Sequence, residues 1–190
     1  FGSYQSMSIA INDRGDVLVA TLLRGGWSVR DWKSFEPSKF ILEASGSVKP
    51  IMISNAWITR VADLNNSNAV IGNVHSNSEE GDAFMWNSVD GAFFPENAGN
   101  LKLHRLNNLG DAVGERTLGR NQAEAVLWEG TQVITLTGLG GDSSSARDIN
   151  DRKQMVGEST TRVGEIIRAF GRWRSERDPW LKRILNPLTS

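Results

Sequence analysis

Short apolar runs along this chain are interrupted by polar turns, and four of those turns share one pattern. They lie within Ile9 to Val19, Ala62 to Gly72, His104 to Gly114 and Arg147 to Gly157. Each turn opens on an Asn, namely Asn12, Asn65, Asn107 and Asn150, at steps of 53, 42 and 43 residues. A period near forty with a fixed internal pattern predicts an array of equivalent units. An apolar run follows each anchor: Lys39 to Leu42, Asp82 to Trp86, Glu124 to Trp128 and Arg168 to Trp173. The Asn-to-Trp distances are 21, 21 and 23 residues, and Leu42 takes the Trp slot of the first unit.

Each unit reads as four short strands punctuated by Gly, Asn, Asp and Ser. In the third unit they are expected at Leu101 to Leu106, Asp111 to Arg116, Glu124 to Trp128 and Gln132 to Thr137. The anchor side chain can hydrogen-bond to backbone two residues on, and Gly15 or Gly110 can then take positive φ without steric cost. Asn68 is the next best residue for that conformation. Lys153 departs from the rule and predicts a strained or altered turn. Gly72, Gly114 and Gly157, seven residues after their anchors, predict close backbone approach inside a strand.

Four-stranded units of this length predict an all-β fold, a β-propeller of four antiparallel blades. The blades are expected at about residues 1–54, 55–97, 98–138 and 139–190, in one repeat domain standing alone or within a longer repeat chain. Trp86, Trp128 and Trp173 read as core between blades. The Ile-Asn-x-x-Gly block, the Ala-Phe-x-Trp block and Leu136 to Gly141 followed by Ser144 to Asn150 carry a family resemblance. Over nearly the whole chain they look like the HAF repeats of bacterial extracellular repeat proteins. The His of the name-giving triplet is replaced by Asp82, Glu124 and Arg168. The resemblance implies a secreted, propeller-like repeat protein with an export signal upstream of Phe1, and it transfers no catalytic residue.

Composition narrows the function only slightly. The 190 residues carry a net charge of −1, so the overall balance draws the chain neither to nucleic acid nor to an anionic membrane. No apolar run approaches the twenty residues of a membrane span. Cys is absent, which removes disulfides and thiolate metal sites. Glu79, Glu80 and Asp82 lack the spacing of a calcium loop, so no metal site and no cofactor is expected. His75 and His104 are the two histidines, and neither stands at zinc spacing or beside a nucleophile motif. His104, three residues before an anchor, aligns with Ile9, Ala62 and Arg147 and reads as a strand position tolerant of side-chain type.

The repeat is broken in one place. The extra residues of the first unit fall between its second and third strands, where Trp27, Trp32 and Phe35 interleave with Arg30, Asp31 and Lys33. Aromatic faces beside Arg and Asp suit sugar stacking or a protein contact. Trp27, Arg30, Asp31, Trp32, Phe35 and His75, on the same expected rim, are therefore the candidate ligand-binding residues. The competing reading folds the Trp rings back over the blade edge as a satellite core. Three functions follow: a noncatalytic binding module for glycan or protein, a structural unit that self-associates through open blade edges, or part of a carbohydrate-active enzyme.

Overall fold

The computed structural model describes residues 4–23, 39–54, 56–75, 81–172 and 183–184. They are all-β, with no helix among them. The first antiparallel sheet comprises β1 (Tyr4–Ile11), β2 (Val17–Leu23), β3 (Lys39–Leu42) and β4 (Val48–Pro50), in that order. The second repeats the path with β5 (Ile58–Leu64), β6 (Val70–Val74), β7 (Asp82–Asn87) and β8 (Gly91–Phe93). Two further meanders follow: β9 (Leu101–Leu106), β10 (Ala112–Gly119), β11 (Gln122–Glu129) and β12 (Gln132–Thr135), then β13 (Gly140–Ile149), β14 (Gln154–Thr161), β15 (Ile166–Arg172) and β16 (Arg183–Ile184). A single parallel bridge, Ala123 with Ser143, joins these two into one eight-stranded sheet. The described residues thus form four meander units in three sheets.

The anchor turns explain the first hairpin of every unit. Each Asn Oδ1 accepts two backbone amides, for instance Ser67 and Ala69 N–H at 3.0 and 2.9 Å on Asn65. Leu109 and Asp111 do the same at 3.0 and 2.8 Å on Asn107. The residue three places on then turns left-handed: Gly15 at φ 81, Asn68 at 59, Gly110 at 89 and Lys153 at 55. Of the strained or altered turn expected at Lys153, the structure shows the strain, a non-glycine residue at positive φ, with the turn itself unaltered, since its amide still bonds Asn150 O at 2.9 Å. Its side chain reaches the preceding unit, with Nζ 3.6 Å from Asp111 Oδ2 and bonded to Glu129 Oε1. Those charges, which also raise the Lys153 pKa, oppose the cost of a non-glycine residue in that conformation.

The turns also bind one another, and here a side chain does what spacing alone does not reveal. Asn12 Nδ2 donates to Asn65 O at 3.1 Å, Asn65 Nδ2 to Asn107 O at 3.0 Å and Asn107 Nδ2 to Asn150 O at 3.3 Å. One residue on, the amides of Asp13, Asn66 and Asn108 donate to Asn66, Asn108 and Asp151 side-chain oxygens at 2.9, 2.9 and 2.7 Å. The result is a ladder through all four units.

Alternation within each strand gives every unit two apolar faces. Val70, Ala112 and Met155, five residues after their anchors, face the preceding unit; Leu18, Ile71 and Val113, six after theirs, face the following one. The core is therefore three separate clusters, one at each junction between consecutive units. Trp86 pairs with Val70, Trp128 with Ala112, and Leu42 takes the same slot against Val17. In the fourth unit the register corrects the spacing: Gly171 opposes Met155. Trp173 stands two residues further along and lies outside the described residues. A two-residue offset preserves strand face, so alternation could not distinguish the two.

The glycines seven residues after the anchors answer to local geometry. A Cβ on Gly72 would sit 2.1 Å from Arg60 O, and one on Gly114 2.1 Å from Lys102 O. Both obstacles belong to the first strand of the same unit. That strand is bulged in every unit, and the residue skipped by the register is Ile9, Ala62, His104 or Arg147. A bulge bends the strand and leaves one residue unpaired. In the second and third units it brings the first strand over the second at Gly72 and Gly114, where a Cβ would meet main chain, whereas the first unit carries Val19 at that position.

Candidate functional site

Two surfaces carry chemistry: the rim of connections between second and third strands, and the bulged first strands. On the rim the connections are unequal. Residues 24–38 link β2 to β3 and residues 75–81 link β6 to β7, whereas 120–121 and 162–165 suffice in the third and fourth units. Trp27, Arg30, Asp31, Trp32 and Phe35 all lie outside the described residues, as do Glu79 and Glu80. His75 is described: it is exposed, and its amide donates to Trp57 O at 2.7 Å. Trp57 is itself exposed. Trp57 precedes β5, whose Ile58 pairs with Val74, so an exposed aromatic stands beside His75 at the edge where the two long connections leave their sheets. Asp82 starts β7 and bridges Gly99.

The second surface lies on the bulged first strands of the third and fourth units. The bulges at His104 and Arg147 project two side chains from equivalent positions of the third and fourth units. His104 Nε2 and Arg147 Nη1 come within 3.1 Å. Both face Glu115 Oε2, at 3.6 and 3.8 Å, and Arg147 Nη2 is 2.5 Å from Glu158 Oε1. The His104 imidazole holds the Glu115 carboxyl down to about 2, against the opposing effect of burial and with help from Arg147. Glu115 and Glu158 are also repeat-equivalent, each eight residues after its anchor. A basic residue three before the anchor and a Glu eight after it, in both the third and fourth units, were the available signal. What spacing hides is that Arg147 also crosses to Glu115 and His104 of the third unit.

Chemically this cluster is a set of ion pairs of Arg147 and Lys102 with Glu115 and Glu158, which His104 joins as a hydrogen-bonding partner of Glu115. His104 meets Glu115 and Arg147, whereas a nucleophile relay needs the imidazole between a hydroxyl and a carboxylate, and the buried Ser145 Oγ has no hydrogen-bond partner among the described residues. The second unit extends the polar seam. Arg60 Nη1 donates to Leu103 O at 2.7 Å and Asn73 Nδ2 to Leu101 O at 2.6 Å, taking carbonyls on the outer edge of β9. Asp63 Oδ2 accepts the Leu106 amide at 2.9 Å, while burial raises its pKa. These contacts protect first-strand edges that would otherwise invite pairing.

A third surface, an open groove of about 460 Å³, is lined by Glu96, Asn97 and Gln132 to Thr135. It has no aromatic wall on which a sugar ring could stack. Among the described residues no group of three His, Cys, Asp or Glu side chains is placed to hold a metal, and no helix is long and apolar enough to cross a membrane. No protein-family model, curated protein or solved structure matches the chain.

Proposed function

We propose that this chain is a noncatalytic extracellular binding module, built from propeller-type blades, that recognises a glycan or protein through the rim bearing residues 24–38 and 75–81. The observation that carries the reading is the inequality of the rim. Two adjacent units spend long connections there, and the other two turn in a few residues. Loops held by a rigid sheet are where binding residues concentrate. Trp57 and His75, both exposed, supply an aromatic and a polar group where the connection 75–81 leaves β6. In this reading the Trp27 and Trp32 rings supply apolar stacking area, while Arg30 and Asp31 orient the ligand through hydrogen bonds.

The blade assignment draws on the repeated four-strand meander, the face-to-face clusters and the stacked turns. The extracellular setting rests on the resemblance to HAF repeats. The deciding experiment screens the purified chain against bacterial and plant polysaccharides. Specific binding, lost in the Trp27→Ala, Trp32→Ala double variant without a fall in melting temperature, is the expected result. A large fall in melting temperature would make those rings core and remove the site.

A further inference from the structure

Every junction in the ladder has a polarity. Through the anchors and the amides the earlier unit donates, from the Asn Nδ2 and the N–H of the next residue, and the later unit accepts, through its Asn carbonyl and the following side-chain oxygen. At the first junction Asn66 Nδ2 also returns one bond to Asp13 Oδ2 at 2.7 Å, which leaves Asp13 Oδ1 for a further donor. After three junctions the array ends with donor groups on the fourth unit and acceptor groups on the first. Asn150 Nδ2 turns onto its own Gln154 Oε1 at 2.9 Å and is exposed, whereas the three earlier anchors are buried. At the other end stand the Asn12 carbonyl and the Asp13 carboxylate, counterparts of the acceptors on Asn65 and Asn66.

The apolar faces end in the same way. Ile11 is 68% exposed, while its equivalents Leu64, Leu106 and Ile149 are buried. Leu42 is 39% exposed in the slot where Trp86 and Trp128 are buried. On the fourth unit Val156 is 40% exposed, against 0% for Leu18, Ile71 and Val113. Among the described residues no apolar cluster joins the fourth unit to the first.

We propose that these two ends are one interface, made between copies: the fourth unit of one molecule docks on the first unit of a second copy. The contact would continue the three junctions already inside the chain, donor facing acceptor and Val156 entering beside Ile11 and Leu42. The first unit of this chain is the surface that carries the required acceptors in the required order. The turn side chains also fit. At existing junctions the residue three after an anchor reaches back to the residue four after the preceding anchor, giving Asn68 beside Asp16 and Lys153 beside Asp111. The new junction would set Gly15 against Gln154, with neither a clash nor an unmatched charge. Such a head-to-tail contact leaves one free end of each kind until a ring closes.

The test measures mass against concentration by sedimentation for the intact chain, Ile11→Lys and Val156→Lys. Both substitutions fall on exposed positions, and unchanged melting curves at low concentration establish that they fold. The intact chain is expected to rise toward twice the monomer mass or beyond, and each variant to stay monomeric. Mixing the variants should restore a one-to-one pair, because each retains the face the other lacks. An intact chain that stays monomeric at high concentration would overturn the proposal and leave those faces to further repeats of a longer chain. Self-association surviving in Val156→Lys alone would overturn it too, by pointing to pairing of like faces.

Discussion

The energetic role of the Asn ladder can be isolated by comparing Asn65→Asp with Asn150→Asp. An Asp keeps the side-chain oxygen that accepts two turn amides, and it loses the Nδ2 donor. At Asn65 that donor serves Asn107 O at 3.0 Å, in a residue 5% exposed. Asp would place an oxygen against that carbonyl, forfeiting a bond worth ~1 kcal/mol and leaving an acceptor short of a partner, at ~1–3 kcal/mol. Asn107 O retains the Gly110 amide at 3.3 Å, so the lower half of that range applies. A total near 2–3 kcal/mol is expected for Asn65→Asp. At the exposed Asn150 the donor meets only the half-buried Gln154 side chain, and the same change should cost under about 0.5 kcal/mol. Urea denaturation at pH 7 and low concentration, with slopes compared, reads the difference directly. Losses equal within about 0.5 kcal/mol would refute the claim that the ladder couples units, leaving the anchors as local turn formers.

Three further outcomes are expected. Glu115→Gln should destabilise the chain by about 2–3 kcal/mol at pH 7, because the folded carboxyl sits at about 2 against an ordinary 4.5. A lowered carboxyl contributes its stability above the unfolded value and loses it as pH falls toward the folded one. The gap between variant and parent in urea should therefore shrink between pH 4.5 and 2, and a constant gap would remove the ion-pair explanation. Gly114→Ala should cost about 3 kcal/mol or more, since the new Cβ meets main chain at 2.1 Å, whereas Gly130→Ala, with no atom within 4 Å, should cost only its positive-φ penalty of ~1–2 kcal/mol. Trp128→Ala should cost ~3–5 kcal/mol in thermal or urea unfolding, since the ring is buried and its Nε1 donates to Gly130 O at 2.8 Å.

Much of the unit was legible in the chain because its causes are local. The anchor Asn bonds backbone two and four residues away, and the left-handed position three residues on selects Gly or Asn, so both leave a mark within five residues. The third unit shows how far this carries. Its first strand is Leu101–Leu106 as expected, while β10 and β11 run longer, to Gly119 and from Gln122, because a tight connection lets the hairpin zip further. Leu42 was likewise identifiable as the Trp-slot residue, since it pairs with Val17 as Trp128 pairs with Ala112.

The sequence by itself determined the repeat, the turn chemistry and the strand-rich character of every unit, all of which depend on neighbours along the chain. Tertiary structure decided what depends on neighbours across it. The second function of each anchor, donation to the next unit, exists only when turns stack. His104, a tolerant strand position when read alone, acquires Arg147 and Glu115 because a bulge in one unit meets a bulge in the next. Lys153 holds a conformation that disfavours it because Asp111 and Glu129 come from the preceding unit. Register, rather than spacing, assigned Gly171 to the aromatic slot. The Gly171 register and the His104–Glu115 contact are set by strand pairing within one unit. For the anchors, Lys153 and the His104–Arg147 contact, the deciding free energy lies across a junction and is gained only after the sheets have packed.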